Sequence, residues 1–160
     1  MNQDSLKNVK LTLILILTTL NQSCMENKSL EKNGEKAYAA WQVGELTGNY
    51  SDFKKLLSND FNFFSHPSAV RGVFKGEEAK TKITELMANR EKLKNALTFS
   101  NPVFMTTSNQ VAVQFNSKGT VMNGQFPYQG YNIIVFGFND NKIVSFREYF
   151  GDVDPAWFKN

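Results

Sequence analysis

The 160-residue chain contains one cysteine, one histidine and four prolines. A single cysteine closes no disulfide within the chain, and one Cys with one His cannot supply the four ligands of an ordinary zinc site. No apolar run approaches the roughly 20 residues that a membrane-spanning helix needs. Neither charge sign dominates: 18 Lys and Arg against 15 Asp and Glu give a net +3. The basic residues are scattered rather than striped, so no nucleic-acid partner is expected. No glycine-rich phosphate loop or metal-ligand cluster is legible, and the expectation is a protein without metal or organic cofactor. Internal repeats and low-complexity tracts are also missing.

What is present is aromatic bulk. Phenylalanine alone accounts for 14 residues, aromatics for 13% and hydrophobic residues for 41%. That is ample for one packed core and argues against disorder, and the length fits a single domain.

The first 24 residues, MNQDSLKNVKLTLILILTTLNQSC, have the layout of an export signal. Lys7 and Lys10 supply a positive start, Leu11–Leu20 an apolar stretch of ten, and small and polar residues follow. The lone Cys24, preceded by the small Ser23, sits where a bacterial lipoprotein is cut and lipidated. This resembles a lipobox, with Asn21 where Leu is usual. A plain secretory signal cut nearby is the alternative. Residues 1–23 are therefore assigned to the signal, 24–34 to a polar tether and 35–160 to the domain. Loss of Lys7, Lys10 and Asp4 with the signal takes the charge from +3 to +2, which favours no strongly charged partner.

From Glu35 the pattern turns helical, with Tyr38, Trp41 and Leu46 near helical spacing. TGNYSD ends this helix, and Ser51 is placed to cap a second, short one carrying Phe53, Leu56 and Leu57. DFNFFSHP reads as a strand stopped at Pro67, and SAVRGVFKG as a loop. A third helix follows Gly76, with Ala79, Ile83, Leu86 and Met87 in one apolar stripe. Lys80, Lys82, Glu85 and Arg90 are assigned to its solvated face. Four strands follow near 96–106, 109–122, 128–138 and 142–150, joined by the turn formers TSNQ, NGQF and NDNK. Short links imply an antiparallel meander, and helices followed by a meander imply an α+β domain with helices on one sheet face.

The last strand carries an acid and a base side by side. Strand residues alternate faces, so Arg147 and Glu148 point in opposite directions. Val144, Phe146 and Glu148 are expected on the concave side; Ile143, Ser145, Arg147 and Tyr149 on the other. Glu148 in an apolar hollow would be a candidate proton acceptor or donor. The alternative is a structural acceptor bonded to a neighbouring donor. His66, alone of its kind, ends the first strand and is either a capping histidine or a proton shuttle. Sharing a cavity, the two would form an acid–base dyad. Tyr38, Trp41, Phe64, Tyr131, Phe136 and Phe146 are candidate pocket walls, a role the same side chains would exchange for plain core.

The blocks AYAAWQVGEL, LLSNDFNFFSHP, FKGEEAKTKI and GYNIIVFGFNDNKIVSFREYFGD resemble successive segments of the SnoaL-like family, over nearly all of Glu35–Phe158. That family falls in the nuclear transport factor 2-like superfamily, with the ketosteroid isomerases and limonene epoxide hydrolases. The resemblance implies a cone: a curved antiparallel sheet wrapped around N-terminal helices, an apolar cavity at its open end, and frequently a homodimer. It implies no oxyanion hole of the isomerase form, because those donors fall near Ala37 and Ile134. The isomerase base falls at His66. The hydrolase acid falls at Glu148, while the Arg and Asp of that site fall near Gln114 and Asn116. The resulting expectation is an exported domain that binds a small apolar molecule, with or without isomerase-, cyclase- or hydrolase-type acid–base activity. The other reading is a non-catalytic dimeric ligand-binding or protein-interaction module.

Overall fold

A computed structural model of the chain describes residues 28–67, 71–93 and 95–151. Cys24 and residues 1–23, expected to be an export signal, lie outside the described residues. The chain runs α1 (28–47), α2 (Ser51–Leu56), β1 (Phe63–His66), β2 (Gly72–Lys75), α3 (Gly76–Lys92), β3 (Ala96–Thr106), β4 (Gln110–Val121), β5 (Phe126–Asn139) and β6 (Lys142–Phe150). The six strands form one open, curved sheet in the order β2-β1-β6-β5-β4-β3. Pairing is antiparallel throughout except between β1 and β6, which run parallel. The sheet is thus mixed rather than wholly antiparallel, because β1 reaches β6 across the intervening α3 and meander instead of through a hairpin. Among the described residues no helix is long and apolar enough to cross a membrane.

Helix α1 begins earlier than its sequence pattern suggests: residues 28–34, assigned to a tether, are helical, and Leu30 packs against the core. Its inward stripe is Leu30, Gly34, Ala37, Tyr38, Trp41 and Glu45, one face at 3.6-residue spacing. Gly34 is there for closeness, since a Cβ at that position would lie 2.4 Å from Val111 Cγ1. Leu46, expected on this face, is instead 49% exposed. Gly72–Lys75, expected as loop, is a strand because it pairs with β1 from Phe63↔Lys75 to His66↔Gly72. Tyr50, rather than Ser51, is the N-cap of α2.

The β5–β6 hairpin turns at Asp140 and Asn141, both at positive φ (46° and 63°), as a two-residue turn matched to sheet twist requires. The ladder then slips between Gly137 and Phe138, which pair with Ser145 and Ile143. This bulge leaves Val144 as the extra residue and changes the alternation below it. Ile143 is consequently buried at 0% exposure together with Phe146 and Glu148, and Val144 is only half-buried. Regular alternation had placed those two the other way round. Beyond the bulge the pattern is regular: Phe146 and Glu148 point in, Arg147 and Tyr149 out.

Candidate active site

The interior divides into a solid end and a hollow end. At the solid end Phe53 of α2 meets Phe136 and Phe146 at ring separations of 6.2 and 6.1 Å, Phe136 and Phe146 stand 5.7 Å apart, and Phe64 stacks on Phe146 at 6.0 Å. Phe64, Phe136 and Phe146 are therefore core and not walls of a cavity. Tyr38 is also core, tilted on Phe115 at 5.1 Å and stacked on Trp41 at 5.9 Å. Burial pushes its phenol pKa up, partly offset by the nearby Gln42 side chain. Tyr131 stands on the outer face at 58% exposure, on the opposite parity from Tyr128, Asn132 and Ile134. Of the six expected wall residues, only Trp41 lines the hollow.

That hollow has a volume of about 230 Å³. It lies between α1, α3 and the inner face of β3–β6. Trp41, Leu86, Leu97, Phe99, Met122 and Phe150 supply apolar wall; Glu45, Arg90, Asn95, Tyr128, Asn132 and Glu148 supply the polar groups. A cavity of roughly 150 Å³ admits a benzene-sized guest, so this one has room for a small molecule somewhat larger.

Strand register brings Glu148 and His66 together. The parallel pairing aligns Phe64↔Phe146 and Ser65↔Arg147, and its next step sets His66 beside Glu148 on the inner face. Their Nε2 and Oε2 atoms are 2.8 Å apart, with side chains 0% and 4% exposed. The contact has the distance of an ion pair. His66 does not reach the hollow. It stands behind Glu148, stacked on Phe64 at 6.1 Å and edge-on to Phe150 at 5.5 Å. Among the described residues the Glu148 carboxylate has no close polar neighbour other than His66. A carboxylate 96% buried, open to a cavity on one side and backed by an imidazole on the other, is arranged to receive or deliver a proton.

Opposite it lies a second polar cluster that sequence reasoning missed. Glu45 accepts from Tyr50 Oη at 2.6 Å and from Asn95 Nδ2 at 3.1 Å, and its Oε1 lies 3.5 Å from Arg90 Nε. Asn95 Oδ1 in turn accepts from the Met122 amide at 3.3 Å, tying α1, α3 and the β4–β5 turn together. Arg90 is no solvated residue: its side chain is 17% exposed, while Lys80 pairs with Glu77 and Lys82 with Glu85 on the surface. Burial alone would lower the Arg90 pKa, but Glu45 first and Glu148 second hold it above its ordinary value. Burial likewise raises the Tyr50 and Tyr128 pKa values, with Glu45 adding to the effect at Tyr50. Tyr128 donates to Asn132 Oδ1 at 2.7 Å, and Asn132 Nδ2 donates to Ser117.

Gln114 faces outward, fully clear of the hollow, and Asn116 shares that face. The charged partners expected near them come from helices instead. Both were on view as periodic positions. Glu45 follows Trp41 by four residues, and Arg90 follows Ile83, Leu86 and Met87 by seven, four and three. Each continues an apolar stripe with a charge. Arg147, by contrast, lies on the outer face with its guanidinium 4.3 Å from the Phe63 ring centroid. Among the described residues, no group of three or more His, Cys, Asp or Glu side chains is placed to hold a metal ion.

No family model matches the chain, and no curated protein matches it. Solved structures do. A nuclear transport factor 2-like protein from Anabaena variabilis superposes with a TM-score of 0.64 at 25% identity, over 76% of this chain and 88% of its own. The epoxide hydrolase/cyclase-like enzyme SalBIII, from pyran ring formation in salinomycin, superposes with a TM-score of 0.57 at 15% identity, over 79% and 94%. A ketosteroid isomerase-like protein from Catenulispora acidiphila, solved with trimethylamine, gives 0.53 at 14% identity, over 72% and 85%. The chain has the nuclear transport factor 2-like, ketosteroid isomerase-like fold.

Proposed function

We propose that this chain is a SnoaL-like domain that takes one small, largely apolar molecule into the hollow beside Glu148 and moves a proton there. The fold neighbours, which include isomerase- and cyclase-type proteins, support a ligand-binding or isomerase-type domain. The observation that carries the finer reading is the buried Glu148 carboxylate, which lines a cavity of about 230 Å³ and whose close polar neighbour among the described residues is His66 Nε2, 2.8 Å away on the side facing the protein. Glu148 is the group that touches substrate. His66, 2.8 Å behind it, is a positioning residue that holds the carboxylate. Exchange of a proton between Glu148 and a bound molecule needs no further participant.

The test begins with mass spectrometry of molecules that co-purify with the protein, followed by turnover assays on their class with Glu148→Gln. The amide keeps the shape and loses the base. Lost turnover with retained binding supports the proposal; undiminished turnover overturns the role of Glu148.

Export and anchoring through a lipid on Cys24 belong to the same proposal, supported by the charge and apolar pattern of the first 24 residues. A second reading, a homodimeric interaction module, is favoured by one observation. Val103, Gln114, Ile133 and Tyr149 align in one row across four strands of the outer face, and all but Gln114 are large exposed apolar residues. Sedimentation of wild type and Ile133→Asp distinguishes the two: a dimer that this change splits supports the module, and a monomer at all concentrations removes it.

A further inference from the structure

The two polar clusters of the cavity are unequal, and the inequality specifies a ligand. Glu45 is saturated: one oxygen accepts from Tyr50 and faces Arg90, and the other accepts from Asn95. Arg90 is not. A guanidinium has five N–H donors, and its one close polar contact is Nε to Glu45 at 3.5 Å, so among the described residues its terminal nitrogens make no hydrogen bond. Glu148 is the complementary case: its Oε2 faces His66 at 2.8 Å, and among the described residues no donor meets its other oxygen. Both line the same hollow. The cavity therefore presents donors in want of an acceptor and an acceptor in want of a donor.

Charge narrows the choice. Glu45, Arg90 and Glu148 sum to −1, and His66, the remaining titratable imidazole against Glu148, brings the sum to 0 when protonated. In neither state does the wall carry the excess positive charge an anion needs. A cation placed against Glu148 shares the hollow with the Arg90 guanidinium, a like charge. A neutral group with a carbonyl oxygen next to an N–H or O–H satisfies both sides without adding charge to a mostly apolar site.

We propose that the ligand is an uncharged, apolar molecule bearing a carbonyl acceptor for Arg90 and an adjacent N–H or O–H donor for Glu148, as in an amide, a lactam or a hydroxy ketone. This rests on the reading of the hollow as a small-molecule site, and deepens it to a class. Arg90 is then a specificity-determining residue, and the Tyr50–Glu45–Asn95 chain is what holds it in place.

The experiment is titration calorimetry of the full chain with four aromatic probes of matched size: benzamide, benzoate, benzylamine and ethylbenzene. Benzamide is expected to bind at least tenfold more tightly than each of the other three, about 1.4 kcal/mol. Arg90→Met is expected to reduce benzamide to the level of ethylbenzene while leaving ethylbenzene unchanged. Far-ultraviolet circular dichroism of the variant and its ethylbenzene affinity together show that the site still forms. Benzoate or benzylamine binding best overturns the neutral-ligand inference, as does benzamide binding that Arg90→Met does not alter. Ethylbenzene binding as well as benzamide also overturns it, but leaves the cavity reading standing. No binding of any probe removes both.

Discussion

Replacing His66 with Leu tests whether the pair behind the cavity is held by charge or merely by packing. The imidazole is fully buried, and the Glu148 carboxylate it faces at 2.8 Å is 4% exposed. Removing one member of a buried pair leaves an uncompensated charge, at a cost of about 3–5 kcal/mol. Here the carboxylate also opens on a cavity that water can enter, which favours the lower end, about 3 kcal/mol. For a domain of this size that corresponds to a Tm drop of roughly 10 °C. Glu148→Leu leaves a histidine that can remain neutral, with one buried nitrogen short of a partner, at about 1–3 kcal/mol. The double variant removes both polar groups, and apolar replacement of a buried pair is often near neutral. The double-mutant cycle, read by urea unfolding, is therefore expected to give a coupling of about 4–6 kcal/mol, the sum of the single losses less a near-neutral double loss, with the double variant more stable than His66→Leu alone. A double variant that loses the sum of the two single losses, with coupling under about 0.5 kcal/mol, refutes the reasoning and reduces the contact to coincidence of packing.

Three further outcomes are expected. Gly34→Ala gains about 1 kcal/mol of helix propensity but drives a Cβ to 2.4 Å from Val111 Cγ1; overpacking at about 1–3 kcal/mol wins, thermal unfolding falls, and Val111→Ala restores part of the loss. Burial raises the Tyr50 and Tyr128 pKa values, so the stability they confer is fully present below the unfolded phenol value near 10 and is lost as pH rises above it. Urea midpoints measured across that range should fall, and fall less in Tyr128→Phe; an equally steep decline in that variant contradicts the assignment. Cys24→Ala is expected to move the protein from the membrane to the soluble fraction in fractionated cells, and persistent membrane association contradicts the lipid anchor.

The elements were legible where one physical signal decided them. The meander needed only period-two alternation and turn formers: β3 ends where TSNQ places its end, and β6 begins where NDNK places its start. The strand Gly72–Lys75 was not legible, because two glycines signal a loop and its strand state depends on β1, a partner that only tertiary structure supplies. The inward direction of Glu148 followed from alternation. The bulge that reverses Ile143 and Val144 did not, since an added residue in a ladder has no local signature here.

Among the site residues, Glu45 and Arg90 were missed for a shared reason. Each occupies the next position of an apolar stripe, and a charge there reads as the stripe's end and not as a charge turned inward. Their burial depends on mutual pairing across two helices, 45 residues apart in sequence. The aromatic walls were over-assigned for the opposite reason. Phe64, Phe136 and Phe146 have the composition of a pocket, and composition does not say which aromatics touch one another and which leave space.

The most direct measurement is a crystal structure of the protein soaked with benzamide. The account expects ordered density for one molecule in the hollow between Trp41 and Phe150, with a nitrogen within hydrogen-bond distance of Glu148 and an oxygen toward Arg90. A hollow closed by its own side chains, with the Glu148 carboxylate hydrogen-bonded to a donor of the protein other than His66, would contradict it.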